Sequence, residues 1–368
     1  MSIAAIPAYL KNHDHALASP ALRFGLLLPV WKPDFSDTEN DNTQAWQLAC
    51  PLNTADQSLM DALGARQSAL RDCLLQRDCL ANFDAVSTAP FATGLGNEHP
   101  LENGFAFLHP YGLPYLPGSG VKGVLRQAAR ELAAGMWGET RGWTPEAITI
   151  LFGAEDPSNA RRGALMFHDV IPRVRASKLL VEVMTPHQQH YYQNCEAPHD
   201  SGTPVPIKFL TVPPGTGFSF LIGCNPALRK HDGLDLDSEA EWKRLLVAAF
   251  EHAFDWLGFG AKTAVGYGAM QHLSEEQIES QRRQQQADRL RCAWVDETIE
   301  RLHQQHNTPQ EAVLRGKLLA EAWQQLDDAP LKSNALADIR NRWKREDWWG
   351  SPPGKAAKKA KAIYAEQQ

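Results

Sequence analysis

No Cys-x-x-Cys pair, no apolar run near eighteen residues and no recognisable secretory leader occur in this chain, and each absence narrows what it does. The cysteines, at 50, 73, 79, 195, 224 and 292, are scattered. With the leader and the span missing, the expectation is a cytoplasmic protein with reduced thiols and no membrane segment. Excess positive charge is also lacking, since 37 Lys and Arg stand against 43 Asp and Glu, for a formal net charge of −6. That excludes a uniformly basic nucleic-acid binder, so any surface for a polyanion has to be local. No Ser-His-Asp order, nucleophile elbow or compact carboxylate pair stands out. What remains, 43% apolar and 22% charged, is the composition of a globular protein, and 368 residues suffice for two or three domains.

The segment around which the chain is organised runs from Tyr111 to Met136. Pro114-Tyr115-Leu116-Pro117 is a stiff approach and Gly118-Ser119-Gly120 a turn. The recurrence of Val121, Val124, Leu125, Ala128, Ala129, Leu132 and Met136 then predicts a helix. Lys122, Arg126 and Arg130, four apart, form a cationic row on another side. The row begins in the first turn, where free backbone N–H groups and the helix dipole already favour an anion. Cations there weaken a helix unless something negative is bound, so a phosphate of a polyanion is the expected ligand. Gly118 to Gly123 also satisfies the Gly-x-Gly-x-x-Gly spacing of a dinucleotide turn. Such a turn follows a buried strand and leads to an acidic residue; here Pro-Tyr-Leu-Pro precedes it and Gly-Trp-Thr-Pro follows about twenty residues on. The bland alternative is a glycine-rich turn with a solvated basic face.

A second glycine-rich segment follows an amphipathic helix whose apolar face is Trp242, Leu245, Leu246, Ala249, Phe250, Ala253, Trp256 and Leu257. Gly258 is placed as its C-terminal cap. The loop Gly258-Phe259-Gly260-Ala261-Lys262-Thr263-Ala264-Val265-Gly266-Tyr267-Gly268 carries one lysine and one threonine, and a short strand is expected from Val265 to Met270. It is not a Walker A loop, because no glycine directly precedes the lysine.

These paired signatures resemble the RAMP superfamily of CRISPR systems. The finer resemblance is to the sixth-subunit family of type III-B Cmr effector complexes. It is carried by Thr93-Gly94-Leu95-Gly96-Asn97-Glu98-His99-Pro100-Leu101-Glu102-Asn103-Gly104, the Tyr111 to Ser119 run, Val183-Met184-Thr185-Pro186-His187 before Tyr191-Tyr192, and Lys208-Phe209-Leu210-Thr211-Val212. It spans roughly residues 75 to 272. Gly120 stands where the family commonly has a second serine, so a backbone contact alone is expected there. The resemblance implies a ferredoxin-like, RRM-like RAMP domain with insertions. It also implies a non-catalytic crRNA-binding subunit, without cofactor, whose partners are crRNA, target RNA and other Cmr/RAMP backbone subunits. The RNA-binding residues it implies are Gly118, Ser119, Gly120, Lys122, Gly123 and Arg126 at the helix and Gly260, Lys262 and Thr263 on the late loop, with His187, Tyr191 and Tyr192 between them. The alternative is a RAMP-type endoribonuclease that cuts RNA itself. It would use His109 or His168 as acid or base and Asp84 or Asp169 as positioning carboxylates. A nucleotide-dependent enzyme built on the Gly118 turn is a third reading. His187, His190, Cys195 and His199 lie within thirteen positions but imitate no standard zinc module, so no metal is expected.

The pattern alone supports an α+β class. Residues 1–54 are expected to be an irregular extension with an acidic stretch at Asp34, Asp37, Glu39 and Asp41. Residues 55–272 hold a helix from Ala55 to Leu80 and strands at Phe83–Pro90, Ala164–Ile171 and Leu179–Met184. A pair, Ile207–Val212 with Gly217–Ile222, is expected about Pro213-Pro214-Gly215. With the two helices this order matches the βαββαβ unit that the resemblance specifies. Arg161, Arg162, Arg173, Arg175 and Lys178 form a basic segment. Residues 273–350 read as a helical extension containing Trp343, Trp348 and Trp349 as packing residues. Residues 351–368, with Lys355, Lys358, Lys359 and Lys361, read as a mobile basic tail with a weak contact to RNA.

Overall fold

The computed structural model describes the chain except residues 1, 12, 14, 16, 40–41, 76–78, 137, 155–157, 159, 187–190, 192–194, 196, 198–203, 232–233, 237–240, 328, 347 and 366–368. In helices and strands, the side chains of 75, 230–231, 234–235, 275, 279, 281–293, 329–330, 334 and 345 also lie outside the description. The strands in chain order are β1 (Leu80–Ser87), β2 (Phe107–Leu108), β3 (Leu113–Pro114), β4 (Leu165–Phe167), β5 (Leu180–Met184), β6 (Ile207–Thr211), β7 (Gly217–Cys224), β8 (Lys230–His231), β9 (Leu234–Asp235) and β10 (Met270–His272). The helices are α1 (Pro20–Phe24), α2 (Thr43–Ala49), α3 (Thr54–Leu75), α4 (Gly118–Ala133), α5 (Pro145–Phe152) and α6 (Glu241–His252). After them come α7 (Glu275–His306), α8 (Gln310–Leu314), α9 (Lys317–Gln324), α10 (Ala329–Arg345) and α11 (Gly354–Ala365). The chain divides into two compact units, residues 1–273 and 274–368.

In the first unit the main sheet is antiparallel in the order β10-β1-β7-β4, with Phe83 opposite Phe220, Val86 opposite Gln271 and Phe167 opposite Ile222. Taken with α4 and α6, the chain order is β1-α4-β4-β7-α6-β10. That is a βαββαβ unit with its fourth strand beside its first, so the ferredoxin-like expectation holds. Both helices are amphipathic and bury one stripe. Val121, Leu125, Ala128, Ala129 and Leu132 of α4 join Trp242, Leu245, Leu246, Ala249 and Phe250 of α6 in one core. Between the two helices, His252 Nε2 lies 2.7 Å from Glu131 Oε2, with both side chains largely shielded. A buried polar pair of this kind fixes helix register as well as contributing energy.

Several expectations change. β6 does not pair with β7; it pairs with β5, Phe209 facing Glu182 and Thr211 facing Leu180. Pro213 and Pro214 lack N–H donors, so the segment cannot continue a two-strand ladder. Instead it crosses the end of β1, where Gly215 N–H donates to Ser87 O (2.7 Å) and Thr216 N–H to Ser87 Oγ (3.1 Å). The expected strand Ala164–Ile171 is a ladder only over Leu165–Phe167. Beyond it Val170 pairs with Leu116 and Arg173 with Gly217. The helix expected to reach Leu80 ends at Leu75, and Leu80 opens β1. The strand expected from Val265 starts only at Met270, because Gly266 (φ 94°) and Gly268 (φ 69°) turn the chain first. Nor are residues 1–54 irregular throughout, since Phe24 of α1 and Trp46 of α2 are buried in the core of the first unit.

The second unit is helical. Val295, Ile299, Leu302, Val313, Leu319, Trp323, Ile339 and Trp343 form its core, and Trp348 and Trp349 pack against it. Indole N–H groups of Trp323 and Trp343 donate to the carbonyls of Lys332 (2.7 Å) and Leu314 (3.0 Å), satisfying the polar end of each buried ring. The expected mobile tail is corrected as well: Gly354–Ala365 is α11. Ala357, Ala360 and Tyr364, spaced three and four apart, are fully buried in the same core. The lysines between them hide that stripe in the sequence.

His99 ties the segment 93–104 to α1. Its ring stacks on Phe24 at 4.0 Å, Nδ1 accepts the Leu101 N–H (3.1 Å) and Nε2–H donates to the Phe24 carbonyl (2.8 Å). Only the neutral ring satisfies both bonds. Burial pushes its pKa down, partly opposed by the bond to Phe24. A histidine with a depressed folded pKa stabilises the fold fully above its unfolded value, about 6.5, and loses that contribution as pH falls toward the folded value. Chemical unfolding between pH 8 and pH 5 is therefore expected to show stability falling below about 6.5. His99→Gln removes that component of the slope; an unchanged slope in the variant would show that His99 is not its source.

Candidate nucleic-acid interface

The α4 N-terminus is built against the edge strand. A Cβ at Gly118 would lie 2.4 Å from the Phe167 carbonyl oxygen, so only glycine lets the helix start this close to β4. Gly118 N–H donates to Asp169 Oδ1 (2.7 Å), while the N–H groups of Gly120 and Val121 both reach the Pro117 carbonyl (2.9 and 3.2 Å). The first turn is thus partly satisfied from within, with a carboxylate seated where the dipole favours an anion. Ser119 is exposed, Lys122 half-exposed and Gly123 exposed with open space beside it. Arg126 turns inward: its Nη2 donates to the Gly153 carbonyl at the end of α5 (2.8 Å). With Arg130, Pro145, Ile148 and Thr149 it lines a cleft of about 370 Å³ between α4 and α5. The cationic row therefore divides, Lys122 facing outward and Arg126 serving the helix junction.

The second glycine loop is clamped on both sides. Gly258 (φ 67°) ends the helical segment with its N–H on the Ala253 carbonyl (2.9 Å), as a C-terminal cap requires. Phe259 N–H donates to Gly268 O (3.0 Å), Gly268 N–H to Pro90 O (2.8 Å) and Ala261 N–H to Ala92 O (2.7 Å). Gly260 (φ 96°) and Gly268 permit this approach, since a Cβ would come within 2.3 Å of Ala92 O at the first and 1.8 Å of Phe259 O at the second. Lys262 sits in the left-handed region (φ 59°) and Thr263 opens a short 3₁₀ turn. The Lys262 ammonium lies 5.3 Å from the centre of the Phe209 ring and 3.4 Å from Met184 Sδ. Tyr267 packs edge-on against Phe209 at 5.4 Å, and its hydroxyl donates to Glu182 (3.4 Å). Burial first, then the Glu182 charge, raises the Tyr267 pKa, so the phenol keeps its proton.

The structure therefore brings Lys262 together with the Val183-Met184 and Lys208-Phe209 motifs, which the sequence separates from it. The Gly118–Gly123 group rests elsewhere, on the edge strand β4. Tyr191 is exposed; His187 and Tyr192 lie outside the described residues. So do His190 and His199 of the possible metal set, whose Cys195 is exposed. Of the residues weighed for cutting, His109 is exposed between β2 and β3 and His168 follows β4. Asp84, nearly buried, accepts from Asn82 Nδ2 (3.0 Å) and faces Arg173 (3.4 Å). Sequence reasoning missed that Asp169 caps α4 and that Arg126 ties α4 to α5. Neither leaves a signal in spacing, because both partners are far along the chain.

The RAMP superfamily model matches residues 86–271, just over half of the chain, and the chain belongs to this superfamily. Beyond that, it is similar to the CRISPR system Cmr subunit Cmr6 of Pyrococcus furiosus, at 29% identity over 250 residues, 52% of this chain and 69% of that protein. Among solved structures it is similar to a chain of a type III-B Cmr-beta complex bound to cognate target RNA, with TM-score 0.46, 20% identity and coverage of 63% of this chain and 71% of that one. A crystal structure of Cmr6 from Pyrococcus furiosus is matched with TM-score 0.32 and 25% identity, over 53% of this chain and 98% of that one.

The loop geometry makes a paired prediction. Gly266→Ala meets open space and carries only the left-handed backbone cost, about 1–2 kcal/mol. Gly268→Ala adds a collision with the Phe259 carbonyl and is expected to cost about 3 kcal/mol or more. Urea unfolding of the two variants checks the order, and equal losses would show that the loop relaxes around Gly268.

Proposed function

We propose that the chain is a non-cutting, crRNA-binding subunit of a type III-B Cmr effector complex, with other Cmr/RAMP backbone subunits, crRNA and target RNA as its partners. The observation that carries this reading is the similarity to Cmr6, in a chain whose superfamily segment includes both glycine-rich segments. The guide strand is held by its backbone. Lys122, with the Ser119 hydroxyl, meets phosphates at the start of α4, where Gly120 and Gly123, having no side chains, leave the strand room to approach. Lys262, Thr263 and the Gly260 turn form a second contact beside Phe209, and Tyr191 offers a ring for an unpaired base. His187 and Tyr192 belong to the same proposed contact. The guide then reads the target by base pairing, which requires no sequence readout from the protein.

The engagement of the carboxylates supports a non-cutting role. Asp84 is paired with Arg173 and accepts a hydrogen bond from Asn82, and Asp169 is engaged by the α4 N-terminus. His252 and Glu131, which do meet, are shielded between α4 and α6. In a reconstituted complex, Lys122→Gln with Lys262→Gln is expected to weaken guide binding. The slope of log K against log salt should fall by about 0.7 for each phosphate no longer neutralised. His109→Ala and His168→Ala should leave target cleavage at its wild-type rate. Unchanged binding and slope would remove the clamp assignment; abolished cleavage would favour the endoribonuclease.

A further inference from the structure

We infer that α11 is a second nucleic-acid contact, lying outside the RAMP segment and binding the phosphate backbone of an RNA strand through Lys355, Lys358, Lys359 and Lys361. Lys355, Lys358 and Lys359 are exposed and Lys361 half-exposed on a helix whose other side is locked into the bundle by Ala357, Ala360 and Tyr364. Lys355 stands three and four residues before Lys358 and Lys359, and Lys358 three before Lys361, so like charges adjoin along one turn after another. Lys355, Lys358 and Lys359 fall in the first half of the helix, toward the end where the dipole disfavours cations. Gly354–Ala365 contains no acidic residue to relieve them. Among the described residues none of the four lysines has a carboxylate partner.

Three other cations of the same unit have acidic partners. Lys317 pairs with Glu321 and Arg315 with Glu311, each one turn away, and Arg342 is held between Asp296 (2.6 Å) and Asp338 (2.9 Å). α11 differs from these in carrying four lysines on successive turns with no acidic residue in its own sequence. Burial of Ala357, Ala360 and Tyr364 holds the helix together against that repulsion. Because the apolar stripe is used internally, no apolar face remains to lie in a bilayer, which argues against a membrane surface. Lysines three or four residues apart offer point charges about 5 Å apart along the axis, without interleaved pockets for side chains. That suits a phosphate backbone and gives no means of reading bases.

The test uses the full chain, a labelled unstructured RNA oligomer and a salt series. Replacing all four lysines by Gln should lower affinity and reduce the salt slope by about 0.7 per neutralised phosphate, alike for different RNA sequences. The four-fold Arg variant should keep the slope. Circular dichroism and thermal midpoints confirm that the bundle remains folded. Wild-type affinity and slope in the folded Gln variant would overturn the inference, as would a wild-type chain with no affinity for RNA. Unchanged RNA binding with failed incorporation into the Cmr complex would also overturn it, assigning the face to an acidic protein partner. The outcome separates from the RAMP-domain clamp, because Lys122→Gln with Lys262→Gln shifts binding independently in the same titration.

Discussion

The cluster of Phe83, Phe220, Phe250, Phe254 and Phe259 is the contact on which the first unit depends. Phe83 stacks on Phe250 at 4.0 Å, Phe220 meets Phe250 edge-on at 5.3 Å, and Phe259 lies 4.8 Å from Phe220 and 5.6 Å from Phe254. The rings come from β1, β7, α6, the turn after α6 and the second glycine loop. One apolar knot thus sets the angle between sheet and helix and anchors the loop that carries Lys262. Aromatic packing of this density resists small shifts, so the loop is held from beneath as well as by its backbone bonds.

Local charge is distributed in keeping with the net negative chain. Arg126 and Arg173 are drawn into structural roles by Gly153 and Asp84, whereas Lys122 stays at the surface. Lys262 is intermediate: its ammonium rests on Phe209 and Met184, with only part of the side chain open to solvent. A cation on an aromatic face is desolvated on one side and strengthens the ring contact as well as any contact with phosphate. Residue identity alone did not distinguish these three situations.

Much of the architecture was legible. The 3.6-residue spacing around Val121 and Trp242 located α4 and α6, and Gly258 marked the cap after α6, because these signals are local. The pairing of β6 with β5 was not legible, since Pro213-Pro214-Gly215 looks like a hairpin turn until the partners offered by Ser87 are known. α11 escaped notice for a related reason: four lysines dominate a composition reading while two alanines and a tyrosine decide the packing. At the candidate interface, glycines read as openings for a ligand proved to have two uses. Gly118, Gly260 and Gly268 admit the protein's own backbone, and Gly123 and Gly266 face open space. Only the fold separates the two.

The strands at the two margins of the main sheet, β4 and β10, are three residues each. Unpaired margins of long strands recruit neighbours by main-chain bonding, and short ones give such a neighbour little to hold. A sheet with margins this short is protected against stacking on a second copy of itself. A companion of any kind then has to engage this domain by side chains and loops rather than by extending its sheet.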